Sequence, residues 1–231
     1  MSSQIPLPLG KFDRFSFEMF IAGQNKHVVD NIHKIITSGS SEFLYLWGDV
    51  GVGKSHILQA ACAQASQNKM KPGYIPLSNH NQFLPEVLNG LEFLDLVCID
   101  DLDSIVGIPE WEKGLFNLFN TLVENSKILI VTSTMSPSGN SISLPDLKSR
   151  LASGIAYHLK YLNEDERLYA LKQRASLRGF ELPNEVLNYL SKRVARDMHT
   201  LFNWLDRIDN ASLVSKKKLT IALVRQLLDK K

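Results

Sequence analysis

Short runs of consecutive apolar residues alternate with helix-like segments over the first two-thirds of the chain. A strand buried in a parallel sheet is covered on both faces, so it reads as a continuous apolar run. Helices are predicted between such runs at residues 54–66 and 111–124, and the runs that predict strands are 43–47, 73–77, 94–99, 127–132 and 155–159. Pro76 marks a strand end or a sheet edge. The pattern predicts an α/β fold with a five-stranded parallel sheet.

The last third of the chain has a different pattern, in which helical periodicity replaces apolar runs. Asn163 and Glu166 have the spacing of a capping box, which begins a helix that we expect to run to about Leu177, before Gly179. Three more helices are predicted, beginning at Pro183, at residue 198 and after Thr220. The expected division is therefore an N-terminal peptide (1–10), an α/β domain (11–162) and a small helical domain (163–231).

Composition narrows the choice of function only slightly. The 231 residues are 44% hydrophobic and 22% charged, which is typical of a globular protein with a core. A net charge of +2 does not by itself indicate nucleic-acid binding. Cys62 and Cys98 lie in apolar surroundings and are expected in the core. The chain shows no signal peptide and no apolar segment long enough to span a membrane, so we expect a cytoplasmic protein.

A glycine-rich segment follows the first predicted strand and precedes the first predicted helix. Residues 48–55 read GDVGVGKS, a complete match to the phosphate-binding loop pattern. In such a loop backbone N–H groups and a helix N-terminus surround the phosphates, Lys54 reaches the β- and γ-phosphates, and Ser55 binds Mg²⁺. The residues predicted to bind the nucleotide here are Gly48, Val50, Gly51, Val52, Gly53, Lys54, Ser55 and His56.

Two acidic residues end the third predicted strand. A phosphate-loop enzyme needs an acid for Mg²⁺ at the end of a neighbouring strand, and Asp100 is the candidate. Asp101 is placed to orient or activate the attacking water. The predicted cofactors are therefore ADP or ATP together with Mg²⁺.

Two further polar segments each allow two interpretations. The polar run 132–134 ends the fourth predicted strand, where it either senses the γ-phosphate or forms a plain turn. Arg150 follows in the segment LPDLKSRL, where it either reaches a phosphate on a neighbouring molecule or is an ordinary surface arginine.

The N-terminal segment QIPLPL is apolar although it precedes the predicted fold. Pro6 and Pro8 prevent a helix and favour an extended backbone, which lowers the entropy lost on docking. Its composition is that of a peptide that docks in a groove, or of an edge segment that packs on its own core. The residues expected to make contacts are Gln4, Ile5, Leu7, Pro8 and Leu9.

These motifs together resemble the AAA+ module of the DnaA family. The resemblance rests on GDVGVGKSH, LVCIDDL, IVTST, LKSRLASG and the helical end, and covers roughly residues 11–230. The segment FDRFSFEMFIAGQNKHVVDNI is similar to the one that wraps the adenine in that family, which implies that Phe20 and Ile21 bind the base. The sequence carries neither the family's origin-reading domain nor its N-terminal oligomerisation domain. The segments LDLVCIDDLDSIVG, ASLRGFELP and HTLFNWLDRIDNASL also look most like the regulatory inactivators of DnaA, the Hda type.

The resemblance implies a mechanism and partners. Proteins of this type bind the DNA-loaded sliding clamp, through a hexapeptide that Gln4–Leu9 resembles, and promote hydrolysis of the ATP held by DnaA. Arg150 lies at the position of the family's arginine finger, which acts in trans. His199 either takes the place of a sensor arginine, as a weaker phosphate partner for which Arg196 is a possible substitute, or is a packing or surface residue. We therefore expect weak ATP hydrolysis by the chain alone.

Other functions remain open at this point. The fold and phosphate motifs would also suit a helicase-loader or transposition-helper ATPase, or a binding module that uses nucleotide only as a structural element. We expect no sequence-specific DNA binding of its own and no membrane contact. A homodimer is possible.

Overall fold

The structure, a computed structural model, describes residues 16–193, 198–215 and 220–229. It contains the expected five-stranded sheet, in which every strand pair is parallel. The strands are β1 (Phe43–Trp47), β2 (Pro72–Pro76), β3 (Leu96–Asp100), β4 (Ile128–Ser133) and β5 (Ile155–His158). The predicted fold class is confirmed.

The strand order is β2-β3-β4-β1-β5, so β4 lies between the strand that precedes the glycine-rich loop and the strand that ends in the acidic pair. The register pairs Trp47 with Ser133 and Ile99 with Val131. Because parallel strands end at the same edge of a sheet, this register brings the polar ends of three strands side by side. Pro76 ends β2, which is an edge strand as expected.

Four α-helices accompany the sheet: α1 (Lys26–Ser38), α2 (Lys54–Gln67), α3 (Pro109–Glu124) and α4 (Pro145–Ala152). The sequence predicted α2 and α3, whereas α1 and α4 were not predicted. In α1 the buried residues Val28, Ile32, Ile35 and Ile36 recur at helical spacing. Gly39 ends that helix with φ of 66°, a left-handed conformation that suits glycine.

The C-terminal helices are α5 (Glu164–Leu177), α6 (Asn184–Arg193), α7 (Met198–Ser215) and α8 (Ile221–Asp229). Both halves of the predicted capping box are present, since Asn163 Oδ1 accepts the Glu166 N–H at 2.9 Å and Glu166 Oε2 accepts the Asn163 N–H at 2.8 Å. The helices share an apolar core that includes Leu171, Leu187, Leu190, Leu205, Ile208 and Val224.

The described chain divides into two compact units. The first comprises residues 16–49 and 53–160, and the second comprises 50–52 with the described residues from 161 onwards. The division into 1–10, 11–162 and 163–231 stays a prediction from the sequence, and residues 1–10 lie outside the described part. None of the described helices is long and apolar enough to cross a membrane.

Candidate nucleotide site

The glycine-rich loop leaves β1 at Gly48 and enters α2 at Lys54. Gly51 and Gly53 have φ of 86° and 100°, which other residues adopt only with strain. A side chain at Gly53 would also meet the Phe20 ring, because an added Cβ would lie 2.8 Å from Phe20 Cε2. The backbone of this loop therefore depends on its glycines. The loop leads into a 14-residue helix, whose first backbone N–H groups can bind an anion.

Lys54 is held over the loop that it follows. Its Nζ donates to the carbonyl oxygens of Gly48 at 2.7 Å and Asp49 at 2.9 Å. Burial lowers the pKa of Lys54, and the nearby carboxylates of Asp101 and Asp100 oppose that shift. The ammonium is thus fixed in position and has few solvent contacts, so an anion at the loop would meet a poorly screened charge.

Asp100 ends β3 and is only 1% exposed. Thr132 donates its hydroxyl to one carboxylate oxygen, and the Tyr74 hydroxyl donates to the other at 2.6 Å. Gln59 of α2 approaches the Tyr74 hydroxyl in turn, at 3.4 Å. Burial and the Asp100 charge raise the pKa of the Tyr74 phenol, so Tyr74 stays a donor at neutral pH. The carboxylate that the sequence assigns to Mg²⁺ is therefore held by hydroxyls from both neighbouring strands.

Ser55 and Asp100 supply the oxygen donors that Mg²⁺ prefers when phosphates and water complete its shell. Among the described residues, no group of three or more His, Cys, Asp or Glu side chains is arranged to hold a metal ion. A hydroxyl and a carboxylate would suit a cation that arrives with a nucleotide, and the assignment of Mg²⁺ to Ser55 and Asp100 stays a prediction.

Asp101 has φ of 57°, an uncommon backbone conformation for a residue other than glycine. Its N–H donates to the Thr132 hydroxyl at 3.0 Å, so one hydroxyl joins both acidic residues to β4. Burial and the charge of Asp100 raise the pKa of Asp101, although Lys54 partly opposes the shift. A carboxylate whose proton affinity is raised in this way suits a group that accepts a proton from water.

The polar run at the end of β4 is held by a carboxylate that is not among the predicted site residues. Asp103 accepts the hydroxyls of Ser133 at 2.8 Å and Thr134 at 3.0 Å, and also the Thr134 N–H at 2.7 Å. With Thr132 on Asp100, all three hydroxyls of the run donate to acidic residues. A γ-phosphate would have to compete with Asp103 for Thr134, and the sensor role stays a prediction.

The segment predicted to contact the adenine lies beside the loop. The ring of Phe20 meets the ring of His56 edge-on, with centroids 5.2 Å apart, and it also covers Gly53. Ile21 is half-buried next to it. Farther along, the buried Asn25 exchanges two hydrogen bonds of 2.8 Å with the backbone of Lys160. The structure thus places Phe20 beside His56, and the base-binding role of Phe20 and Ile21 stays a prediction.

Arg150 lies in the last turn of α4 and is exposed. Leu147 and Leu151 of the same helix are buried in the core of the first unit. The carbonyl of Arg150 accepts the Ser153 N–H at 3.0 Å and the Ser153 hydroxyl at 2.7 Å, which closes the helix end. No hydrogen bond or ion pair joins its guanidinium to another described side chain. The helix is therefore anchored while its arginine is free to meet a partner.

Several predicted site residues cannot be placed in this way. Gln4, Ile5, Leu7, Pro8 and Leu9 lie outside the described residues, as does Arg196. His199 lies in α7, but its side chain is outside the described part. The phosphate-partner role of His199 and the docking role of the N-terminal segment stay predictions.

Models of known protein families match both parts of the chain. Residues 12–158, more than half of the chain, match the sequence model of the bacterial DnaA ATPase domain. The chain belongs to the DnaA family of AAA+ ATPases. Residues 164–228 match the model of the Hda lid domain, so both units have a counterpart among DnaA-related proteins. The resemblance stated from the motifs is confirmed.

Solved structures share the fold. Domain III of the replication initiation protein DnaA from Thermotoga maritima is 24% identical, with a TM-score of 0.82 over 93% of this chain and 95% of that one. AMPPCP-bound DnaA from Aquifex aeolicus is 25% identical, with a TM-score of 0.71 over 85% of this chain and 65% of that one. The Holliday junction branch migration motor RuvB from Thermotoga maritima is 17% identical, with a TM-score of 0.73 over 95% and 73%.

Proposed function

We propose that this protein is a regulatory inactivator of DnaA that promotes hydrolysis of the ATP held by DnaA. Arg150 is the group that would enter the partner's site, where a guanidinium stabilises the charge that develops during phosphoryl transfer. The observation that carries the proposal is its placement on an anchored helix, exposed and without an ion-pair partner among the described residues. The match of residues 164–228 to the Hda lid supports the same class of protein.

The chain's own nucleotide, ADP or ATP, would lie on the glycine-rich loop. The loop N–H groups and Lys54 would bind the phosphates, Phe20 and Ile21 would contact the base, and Ser55 and Asp100 would hold Mg²⁺. When bound, Mg²⁺ offsets the phosphate charge. The relatives whose structures contain AMPPCP support an adenine nucleotide as the ligand.

Hydrolysis of that nucleotide by the chain itself is proposed to be weak. The hydroxyls that end β4 already donate to Asp100 and Asp103. His199 stands where the resemblance places a sensor arginine, and a neutral imidazole is the poorer phosphate partner. The nucleotide would then act mainly on the conformation of the chain. Asp101 would be the residue that activates water in the remaining weak hydrolysis.

The proposed second partner is the DNA-loaded sliding clamp, contacted by Gln4–Leu9. Three aliphatic side chains on a proline-restrained backbone suit an apolar groove. Deleting residues 1–9 should abolish clamp binding in a pull-down with loaded clamp and leave ADP affinity unchanged. Retained clamp binding would contradict this assignment. Because both partners work on chromosomal DNA, we place the protein in the cytoplasm.

The deciding experiment mixes the purified full chain with DNA-loaded clamp and ATP-loaded DnaA, and follows the conversion of DnaA-bound ATP to ADP. Stimulation by the wild type and its loss in Arg150→Ala is the expected result, since such an arginine accounts for about 10³-fold or more in rate. Arg150→Lys should also fail, because a lysine lacks the planar fork.

Lys148→Ala is the matched control, since it removes a cation from the same helix two residues earlier. It should stimulate DnaA as the wild type does. If Arg150→Ala and Lys148→Ala both stimulate ATP hydrolysis by DnaA as the wild type does, Arg150 is an ordinary surface residue. Absence of stimulation by the wild type would remove the regulatory role and favour the helicase-loader class.

A further inference from the structure

Glu112 of α3 is a buried carboxylate that the nucleotide site does not use. It is 1% exposed and lies on the helix face that carries Trp111, Leu115 and Leu118 into the core. No lysine, arginine or histidine of the described ranges forms an ion pair with it. Because a buried carboxylate is costly unless strong donors surround it, its partners must be sought on the backbone.

Three backbone N–H groups provide those partners. Glu112 Oε1 accepts from Gly107 at 2.7 Å, and Oε2 accepts from Leu144 at 2.8 Å. The Ser143 N–H lies between the two oxygens, 3.1 Å from Oε1 and 3.0 Å from Oε2. One side chain thus joins Gly107, which precedes the cap of α3, to Ser143 and Leu144, which lie 31 and 32 positions after Glu112.

That later segment begins α4. Leu144 is the residue that caps this helix at its N-terminus, and Ser143 precedes it. The eight-residue helix that follows is too short to be stable by itself and carries Arg150 in its last turn. Its inward side is fixed by Leu147 and Leu151, and Glu112 holds the two residues that precede its first turn.

We propose that Glu112 is a positioning residue for Arg150: by fixing the start of α4 it sets the direction in which the guanidinium is presented to a partner. The inference rests on the proposed function of Arg150. Catalysis by a positioned group is sensitive to displacements of about 1 Å, which cost about 100-fold in rate. An apolar residue at this position would pack in the same core but would remove the acceptor of three backbone N–H groups, those of Gly107, Ser143 and Leu144.

The test compares Glu112→Gln with Glu110→Gln in the full chain. Glutamine keeps the size of the side chain but turns an NH₂ donor towards N–H groups that need acceptors. Glu110 is exposed in the first turn of the same helix, so its variant is a matched control. With DnaA and loaded clamp at saturation, E112Q should lower the maximal rate of ATP hydrolysis by DnaA about 10-fold to 100-fold. E110Q should stay within about twofold of the wild type.

A second readout does not depend on DnaA. The chain's own cysteines, Cys62 and Cys98, are both buried, so an Arg150→Cys variant can be labelled with a nitroxide at position 150. E112Q should increase the mobility of that label in the electron paramagnetic resonance spectrum, and E110Q should not. The affinity of each variant for a fluorescent ADP analogue should equal that of the wild type, which verifies that the nucleotide-binding unit is folded.

The outcomes separate the two claims. Equal stimulation and equal label mobility for E112Q and E110Q overturn the positioning role. A wild-type rate from Arg150→Ala overturns the proposed function instead, and label mobility then decides the positioning role. If E112Q does not bind the ADP analogue, Glu112→Asp replaces it, because aspartate keeps the charge and shortens the reach. The same outcomes then apply to Glu112→Asp.

Discussion

Replacing Thr132 with valine tests the hydroxyl that joins the two acidic residues after β3. Thr132 is fully buried, and its hydroxyl donates to Asp100 and accepts the Asp101 N–H at 3.0 Å. Valine has nearly the same shape, so the change removes two hydrogen bonds and leaves little cavity. Both former partners of the hydroxyl lose their contact in a place that water reaches poorly.

The magnitude follows from the two partners. A hydrogen bond to a charged group contributes about 1.5–3 kcal/mol and a neutral one about 0.5–1.5 kcal/mol, so Thr132→Val should lower the free energy of unfolding by about 2–4.5 kcal/mol. Thr121→Val is the control, because its hydroxyl donates to the Asn117 carbonyl on an exposed helix surface. The control should change the free energy by about 0.5 kcal/mol or less.

Urea unfolding measures both variants in a Trp204→Phe background. The remaining tryptophans, Trp47 and Trp111, both lie in the first unit, so their fluorescence reports its unfolding. A loss below about 1 kcal/mol for Thr132→Val would refute the reasoning, since it would mean that water satisfies Asp100 and Asp101 as well as the hydroxyl does.

Three further outcomes are expected. The pKa of Asp101 is higher in the folded than in the unfolded protein. The ionised carboxylate therefore opposes folding above the folded-state pKa, whereas the protonated group that is present below the unfolded-state pKa, near 4, does not. Asp101→Asn should therefore raise the melting temperature at pH 7, and the gain should vanish as the pH falls below about 4. Gly154→Ala should lower the melting temperature, because an added Cβ would lie 2.8 Å from the Phe43 carbonyl oxygen, which cannot move without disturbing β1. Lys54→Ala should remove the rise in melting temperature that ADP causes in the wild type, as measured by differential scanning fluorimetry.

Local sequence signals predicted much of the fold because the features that they report are local. The runs in β1, β3 and β4 are apolar at nearly every position, and the structure covers both faces of each strand. The capping box at Asn163 needs only residues three apart, and both of its hydrogen bonds form. The apolar spacing of α1 is likewise a local signal, and it lies within the segment that resembles the adenine-binding one.

The residues that hold the site together could not be predicted in the same way. Tyr74 contacts Asp100 across 26 positions, and Asp103 contacts Ser133 across 30. Glu112 in a helical pattern reads as one more surface acid, and only the fold puts it beneath the start of α4. Each of these contacts depends on strand order, which no local pattern specifies.

The pair of hydrogen bonds between Asn25 and Lys160 joins residues 135 positions apart. Asn25 directly precedes α1 and Lys160 is the last residue of the first unit, so these bonds tie the start of the first helix to the end of that unit. In a unit built in this way, a flanking segment can be lengthened or exchanged without a change in the path of the chain through the sheet. Such a unit should also tolerate circular permutation, with its old termini fused by a short linker and new ones opened in an exposed loop.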